Sequence, residues 1–152
     1  MLSKDYGYWM DIALNEAKKA EQINEIPVGA VLVLGDNIIS YGMNRTIIDN
    51  DPTSHAEINA IRKASKKSNN HRLIDTTLFV TLEPCAMCYG AIVQARVSRV
   101  VFGAYDLKTG ACGTCMDLKS NQCFNHTPEI IGGVMREECS KLLSDFFKNK
   151  RN

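Results

Sequence analysis

Two short motifs far apart in the sequence constrain this chain most: PCAMC at residues 84–88 and HAE at residues 55–57. Cys85, Cys88 and His55 are ligands that zinc prefers, and three protein ligands leave a fourth position open for water. Glu57, two residues beyond the histidine, is suited to carry the proton of that water. The two motifs therefore predict an enzyme in which zinc-bound water attacks a small planar electrophile.

The HAE motif falls at a predicted helix start. Capping residues stand at positions 51, 53 and 54, and apolar residues then recur at helical spacing, which predicts a helix from near His55 to about Lys66. Residues i and i+2 inside a helix point in nearly opposite directions. His55 and Glu57 can therefore serve one site only if the histidine lies at the helix entrance.

The PCAMC motif is predicted to open a second helix. Pro84 suits the first helical position, and the apolar pattern continues to about Gln94. Cys85 and Cys88 then fall in the first turn, on one face. There the helix dipole and the free amide hydrogens favour thiolate, the form that binds metal.

The remaining pattern predicts a three-layer α/β/α domain over residues 1–152, with a mixed sheet of about five strands covered by helices on both faces. A first helix is expected from residue 5 to about 21, a hairpin over 30–34 and 38–43, and a central strand over 77–82. A strand over 97–102 completes a parallel β-α-β pair. After a long polar loop, 103–129, a short strand at 130–131 precedes a closing helix with apolar residues from 135 to 147.

Charge and hydropathy limit the function. The net charge of +1 does not indicate a general nucleic-acid binder, so an RNA contact would need a local basic patch. The chain has no run of about 18 apolar residues, and residues 1–5 do not resemble a signal peptide. We therefore expect a cytoplasmic protein with no membrane span.

The other four cysteines leave a second zinc interpretation open. Cys112 and Cys115 could join the first pair in a four-cysteine structural site, but that arrangement leaves the HAE motif without a purpose. We expect Cys112 and Cys115 to be free thiols, and Cys123 and Cys139 to be small buried side chains.

Longer motifs carry a resemblance over almost the whole chain. They are EIPVGAV at 25–31, NR at 44–45, DPTSHAEI at 51–58, TLEPCAMC at 81–88, FGAYDLKTG at 102–110 and LLSDFF at 142–147. With them the chain resembles the tRNA-specific adenosine deaminases of the cytidine deaminase superfamily, whose H-x-E and P-C-x-x-C signature is known. The zinc motifs alone would also fit cytidine, deoxycytidylate or guanine deaminases. The 106–110 loop and the closing helix narrow the resemblance to the tRNA enzymes.

The resemblance implies a homodimer that converts adenosine to inosine at the wobble position of a tRNA anticodon. It implies one Zn²⁺ per chain, Glu57 as the proton shuttle, and Asn44 as the residue that positions the nucleoside. The implied zinc ligands are His55, Cys85 and Cys88. Val28 and Ala56 would line the pocket, while Lys108 and the basic end of the last helix, Lys148, Lys150 and Arg151, would approach the RNA backbone.

Two alternatives remain open from the sequence. One is a guanine or cytosine-type deaminase that acts on free bases or nucleosides. The other is a non-catalytic zinc-binding module that serves as a scaffold partner. The presence of Glu57 argues against the second, because a member that has lost catalysis can lose that carboxylate.

Overall fold

The computed structural model describes residues 4–151. Residues 1–3 and 152, at the two ends of the predicted domain, lie outside the described part, and so does the side chain of Arg151. Its centre is a five-stranded sheet in the order β2-β1-β3-β4-β5. The strands are β1 (Gly29–Leu34), β2 (Asn37–Met43), β3 (Thr76–Leu82), β4 (Arg99–Ala104) and β5 (Glu129–Ile131). β1 is antiparallel to β2 and β3, whereas β3, β4 and β5 run parallel. The predicted mixed sheet with a central third strand is confirmed.

Four helices cover the two faces of the sheet. They are α1 (Tyr6–Gln22), α2 (Ala56–Ser68), α3 (Ala86–Ala95) and α4 (Arg136–Arg151). α1 and α4 contribute to the core on one face, and α2 and α3 to the core on the other. The three-layer prediction is therefore confirmed. Within residues 4–151, no helix combines the length and apolarity needed to span a membrane.

The strands divide their side chains between two cores, as the period of two in a strand requires. In β3, Leu78 and Val80 face α2 and α3, whereas Phe79 packs against Trp9 of α1. Because β3 is buried on both faces, its sequence reads as a nearly continuous apolar run.

Two predicted element starts are wrong by two residues, and the fourth strand also ends two residues later than predicted, at Ala104 instead of residue 102. The third helix begins at Ala86 and not at Pro84, because Cys85 has an extended backbone with φ −78° and ψ 177°. The Pro84 carbonyl accepts a hydrogen bond from the backbone N–H of Ala111 instead of starting a helix. The fourth strand begins at Arg99 and not at residue 97, because the backbone N–H of Val97 still bonds to the end of α3.

Candidate metal centre and pocket

The ends of two helices bring the two motifs together. His55 is the N-cap residue of α2 and Cys85 that of α3, and both have extended backbones. Neither side chain makes the hydrogen bond to its own helix that an N-cap residue usually makes. Cys88, in the first turn of α3, is buried beside them. Both cap side chains are therefore turned toward a common point instead of toward their helices.

The distances among these side chains fit zinc. His55 Nδ1 lies 3.7 Å from Cys85 Sγ and 3.4 Å from Cys88 Sγ. All three atoms lie within 4.8 Å of one another. Tetrahedral zinc with ordinary Zn–N and Zn–S bonds separates nitrogen from sulfur by about 3.6 Å. One histidine and two cysteines, held at this spacing, make a donor set suited to one Zn²⁺ with an open position.

The four-cysteine alternative receives no support. Within residues 4–151, the His55, Cys85 and Cys88 group is the only such cluster of metal-binding side chains, and it excludes Cys112 and Cys115. All six cysteines are free thiols, as predicted for that pair. Cys139 is buried as predicted, but Cys123 is exposed, because it follows an asparagine turn in the loop before β5.

The three candidate ligands shift one another's pKa values through hydrogen bonds. A hydrogen bond from Cys88 lowers the pKa of Cys85 to about 4, and the same hydrogen bond, with burial, raises the pKa of Cys88. The hydrogen bond to Cys85 raises the pKa of His55. The lowered pKa of Cys85 favours its thiolate, the form that binds metal. A bound cation favours the deprotonated form of every ligand.

Glu57 lies in the first turn of α2 and is only 4% exposed. Burial raises the pKa of its carboxyl to about 7, against the opposing effect of its own backbone N–H and of His55. A carboxyl that titrates near neutral pH can both accept and donate a proton under physiological conditions. Its position two residues after His55 places it next to the candidate ligands.

A pocket of about 130 Å³ opens directly onto this centre. That volume is about ten times what one water molecule requires, so it suits a small ring and not a folded polymer. The lining residues that the sequence predicted are Val28, Asn44, His55, Ala56, Glu57 and Cys85. Lys108 does not line the pocket; its side chain is exposed on the adjacent loop.

Asn44 is held at the pocket wall by both of its nitrogen atoms. Its backbone N–H donates to the Val28 carbonyl over 3.1 Å, and its side-chain nitrogen lies 3.4 Å from the Ile26 carbonyl. Only 6% of the residue is exposed. Because both of these bonds use nitrogen atoms, the side-chain oxygen can still accept a hydrogen bond.

Sequence reasoning did not predict five of the pocket residues. These are Ile26, Leu82, Glu83, Asp106 and Thr109. One signal was available: Glu83 is a charged residue directly between a buried apolar strand and the PCAMC cysteines. A carboxylate at such a position must find partners in the fold. Asp106 and Thr109 come from a polar loop whose sequence alone does not show which surface it covers.

Comparisons with known proteins agree with this site. The profile of the cytidine and deoxycytidylate deaminase zinc-binding region matches residues 3–104, which include all three candidate ligands. A tRNA-specific adenosine deaminase from Haemophilus influenzae is 52% identical over 143 residues, covering 93% of this chain and 83% of the relative.

Two solved structures have the same fold. One, from studies of A-to-I editing by tRNA:A34 deaminases at the wobble position of transfer RNA, has a TM-score of 0.87 and 41% identity, covering 90% of this chain and 99% of that one. A guanine deaminase from Bacillus subtilis has a TM-score of 0.66 and 30% identity, covering 96% of this chain and 95% of that one. Both the sequence identity and the TM-score are higher for the tRNA:A34 deaminase structure than for the guanine deaminase.

Proposed function

Because this chain belongs to the tRNA-specific adenosine deaminases of the cytidine and deoxycytidylate deaminase family, we propose that it converts adenosine to inosine at the wobble position of a tRNA anticodon. The proposed chemistry rests on the buried Glu57 carboxyl, which lines a pocket for one small ring together with His55 and Cys85 of the candidate metal centre. The assignment of tRNA as the substrate rests on the 52% identity to a tRNA-specific adenosine deaminase.

The residues take these roles in the proposed reaction. His55, Cys85 and Cys88 hold one Zn²⁺, which when bound makes water acidic enough to supply hydroxide near neutral pH. Glu57 accepts one proton from water and delivers it to the ring nitrogen as the water oxygen bonds to the amine-bearing carbon. It then carries the remaining proton of that oxygen to the amine, so that the C–N bond breaks, the carbonyl of inosine forms and ammonia leaves. Its pKa near 7 suits both transfers.

The walls of the pocket orient the base. Asn44 presents its side-chain oxygen as a hydrogen-bond acceptor for the nucleoside, while Val28 and Ala56 provide apolar surfaces against the flat ring. Bases in an anticodon loop are unstacked more cheaply than bases in a duplex. A pocket for one ring can therefore select a loop nucleotide without a large RNA-binding groove.

The RNA backbone would meet only a modest number of positive charges. Lys108 is exposed on the loop that borders the pocket, and Lys148 and Lys150 are exposed near the end of α4. With a net charge of +1, the chain would depend on such local contacts. We expect the affinity for RNA to fall steeply with salt concentration.

The experiment that tests this function compares three substrates under identical conditions. Inosine formation is measured in an anticodon stem-loop with adenosine at the wobble position, and ammonia release is measured with guanine and with cytidine. We expect activity on the stem-loop alone, and no inosine from a control in which the adenosine is paired in the stem. Preferential turnover of guanine or cytidine would favour the alternative of a deaminase that acts on free bases or nucleosides. Its support is the 30% identity to a guanine deaminase, which is weaker than the 52% identity to the tRNA-specific relative.

Metal content and assembly are tested on the same preparation. We expect about one zinc per chain by elemental analysis, and a preparation that is active without zinc would overturn the assignment. A scaffold module would bind zinc but turn over none of the three substrates.

We also propose that residues 1–152 form one catalytic domain and that the protein is a cytoplasmic homodimer. Light scattering at several concentrations measures the oligomeric state.

A further inference from the structure

Glu83 is a buried carboxylate with an unusual set of partners. It directly follows β3, is 2% exposed, and precedes the candidate ligand Cys85 by two residues. Its two oxygens accept hydrogen bonds from three backbone N–H groups of one distant loop: Asp106 at 3.2 Å, Cys112 at 2.9 Å and Thr114 at 3.3 Å. A single side chain therefore holds a segment of about ten residues.

That segment, residues 105–116, forms one wall of the pocket. Asp106 and Thr109 line the pocket directly. The Asp106 carboxylate accepts hydrogen bonds from the backbone N–H groups of Lys108 and Thr109 and from the Thr109 hydroxyl, so this turn is rigid within itself. Its position relative to the metal centre must then be set from outside the turn, and Glu83 bonds to both of its flanks.

The chain around Glu83 connects this wall to the metal centre. The backbone N–H of Glu83 donates to the Ala104 carbonyl, and the Pro84 carbonyl accepts from the Ala111 N–H. Gly110 packs against the carboxyl so closely that a Cβ there would lie 2.5 Å from Glu83 Cδ. Glu83 and Pro84, the two residues before Cys85, therefore hold the pocket wall beside this candidate ligand.

We propose that Glu83 is a positioning residue for the deamination reaction, which holds the 105–116 loop at the distance from the metal centre that aligns the substrate ring. This inference rests on the proposed function, because alignment matters only if a base is deaminated in this pocket. Small displacements of aligned groups lower rates sharply, by about 10²-fold for about 1 Å. Glu83 also lines the pocket, but both of its oxygens are bonded to backbone N–H groups of the loop, so it acts through the loop.

The test compares Glu83→Gln with Thr76→Val. Glutamine has nearly the same size, but it replaces one acceptor oxygen with an NH₂ group that faces backbone donors. Thr76 lies at the other end of β3, is 3% exposed, and donates a buried hydrogen bond to the Leu73 carbonyl. Thr76→Val therefore removes a buried hydrogen bond from the same strand, far from the loop.

We expect Glu83→Gln to keep its zinc and to lower kcat on the stem-loop by about ten- to hundredfold. Thr76→Val is expected to show a similar fall in melting temperature with kcat within about twofold of the unaltered protein. If kcat falls equally in both variants, or if Glu83→Gln loses zinc, the positioning role is wrong.

Thiol labelling of the zinc-loaded protein reports on the loop itself. Cys112 is 7% exposed and donates its N–H to Glu83, whereas Cys139 is 1% exposed in the core on the other face of the sheet. We expect Glu83→Gln to accelerate alkylation of Cys112, located by peptide mass spectrometry, and to leave Cys139 protected. Equal acceleration at both cysteines would mean general destabilisation and would overturn the inference.

The two proposals fail in different ways. If the unaltered protein forms no inosine in the stem-loop but deaminates guanine or cytidine, the proposed substrate is wrong, and the variants are compared on the substrate that reacts. If it deaminates the stem-loop while Glu83→Gln is as active as Thr76→Val, only the role of Glu83 is wrong. A protein inactive on all three substrates would overturn both.

Discussion

The start of α2 and the end of β3 each bury a glutamate beside the same pocket, but in opposite electrostatic surroundings. Glu57 is 4% exposed and Glu83 is 2% exposed. The Glu83 oxygens are occupied by three N–H groups of the 105–116 loop. Glu57 has its own N–H and the Cys88 thiol, and burial outweighs them, raising its pKa to about 7.

Burial alone therefore does not decide what a carboxyl group does. A carboxylate that is surrounded by fixed N–H donors is held in one place and can fix those donors in turn. A carboxyl that is buried with few donors has a small free-energy difference between its protonated and ionised forms at neutral pH. The first arrangement suits positioning and the second suits proton transfer, and each can be disturbed separately.

Removal of the metal should have the largest effect on turnover. We expect dialysis against a zinc chelator to abolish detectable turnover and to lower the melting temperature, because metal that binds only the folded state stabilises it. Added Zn²⁺ should restore both, whereas Mg²⁺, which prefers oxygen ligands, should not. Full activity in metal-free protein would contradict the assignment of the ligands.

The Glu57→Gln variant should show the second-largest loss of activity. Glutamine fills the same space but cannot carry the proton, so we expect kcat to fall by about 10²- to 10⁴-fold. Zinc content and melting temperature should stay near those of the unaltered protein. If Glu57→Gln lost less activity than Glu83→Gln, the division between a proton carrier and a positioning residue would have to be reversed.

Gly110→Ala tests the packing of the Glu83 side without a change in charge. The added Cβ would lie 2.5 Å from the Asp106 carbonyl oxygen and 2.6 Å from Glu83 Oε1, so we expect a loss of about 1–3 kcal/mol in the free energy of unfolding. Gly90→Ala in α3 is the control, because a Cβ there meets nothing within 4 Å. It should gain up to about 1 kcal/mol from helix propensity. Urea unfolding measures both variants, and equal stabilities would contradict the close packing.

The smallest effect is a difference in thiol reactivity that needs no substitution. Burial raises the pKa of Cys112 and of Cys139 to about 12, whereas Cys115 and Cys123 are exposed. We expect the exposed pair to be alkylated in the zinc-loaded native protein, and the buried pair only after unfolding. Rapid labelling of Cys112 in the native protein would show that the loop is not held as described.

The sequence predicted the elements whose signal is local. The hairpin, the central strand and the short last strand appear where their apolar runs lie, because β-branched and apolar residues between turn residues are a local pattern. The start of α3 was missed for a tertiary reason. Pro84 is compatible with the first position of a helix, but its carbonyl accepts a hydrogen bond from the distant Ala111 N–H, and Cys85 is the N-cap residue instead.

The candidate site divides in the same way. Zinc chemistry leaves few roles for two cysteines, a histidine and a nearby carboxylate, so these residues could be proposed from spacing and residue type. Asp106, Thr109 and Glu83 line the pocket only because a long loop folds back across the ends of β3 and β4. Their contact depends on chain packing between positions more than 20 residues apart, which a spacing rule does not contain.

The two helices that meet at the ligands begin without the side-chain bonds that usually stabilise a helix start. Each first turn therefore depends on whatever fixes His55 and Cys85, and one ion bound by both would join two distant chain segments as a cross-link does. Without it, the amide hydrogens of Asn59 and Tyr89, which bond to the carbonyls of His55 and Cys85, should exchange with solvent sooner than in the zinc-loaded protein. Whether zinc is bound would then determine which elements of this protein open first.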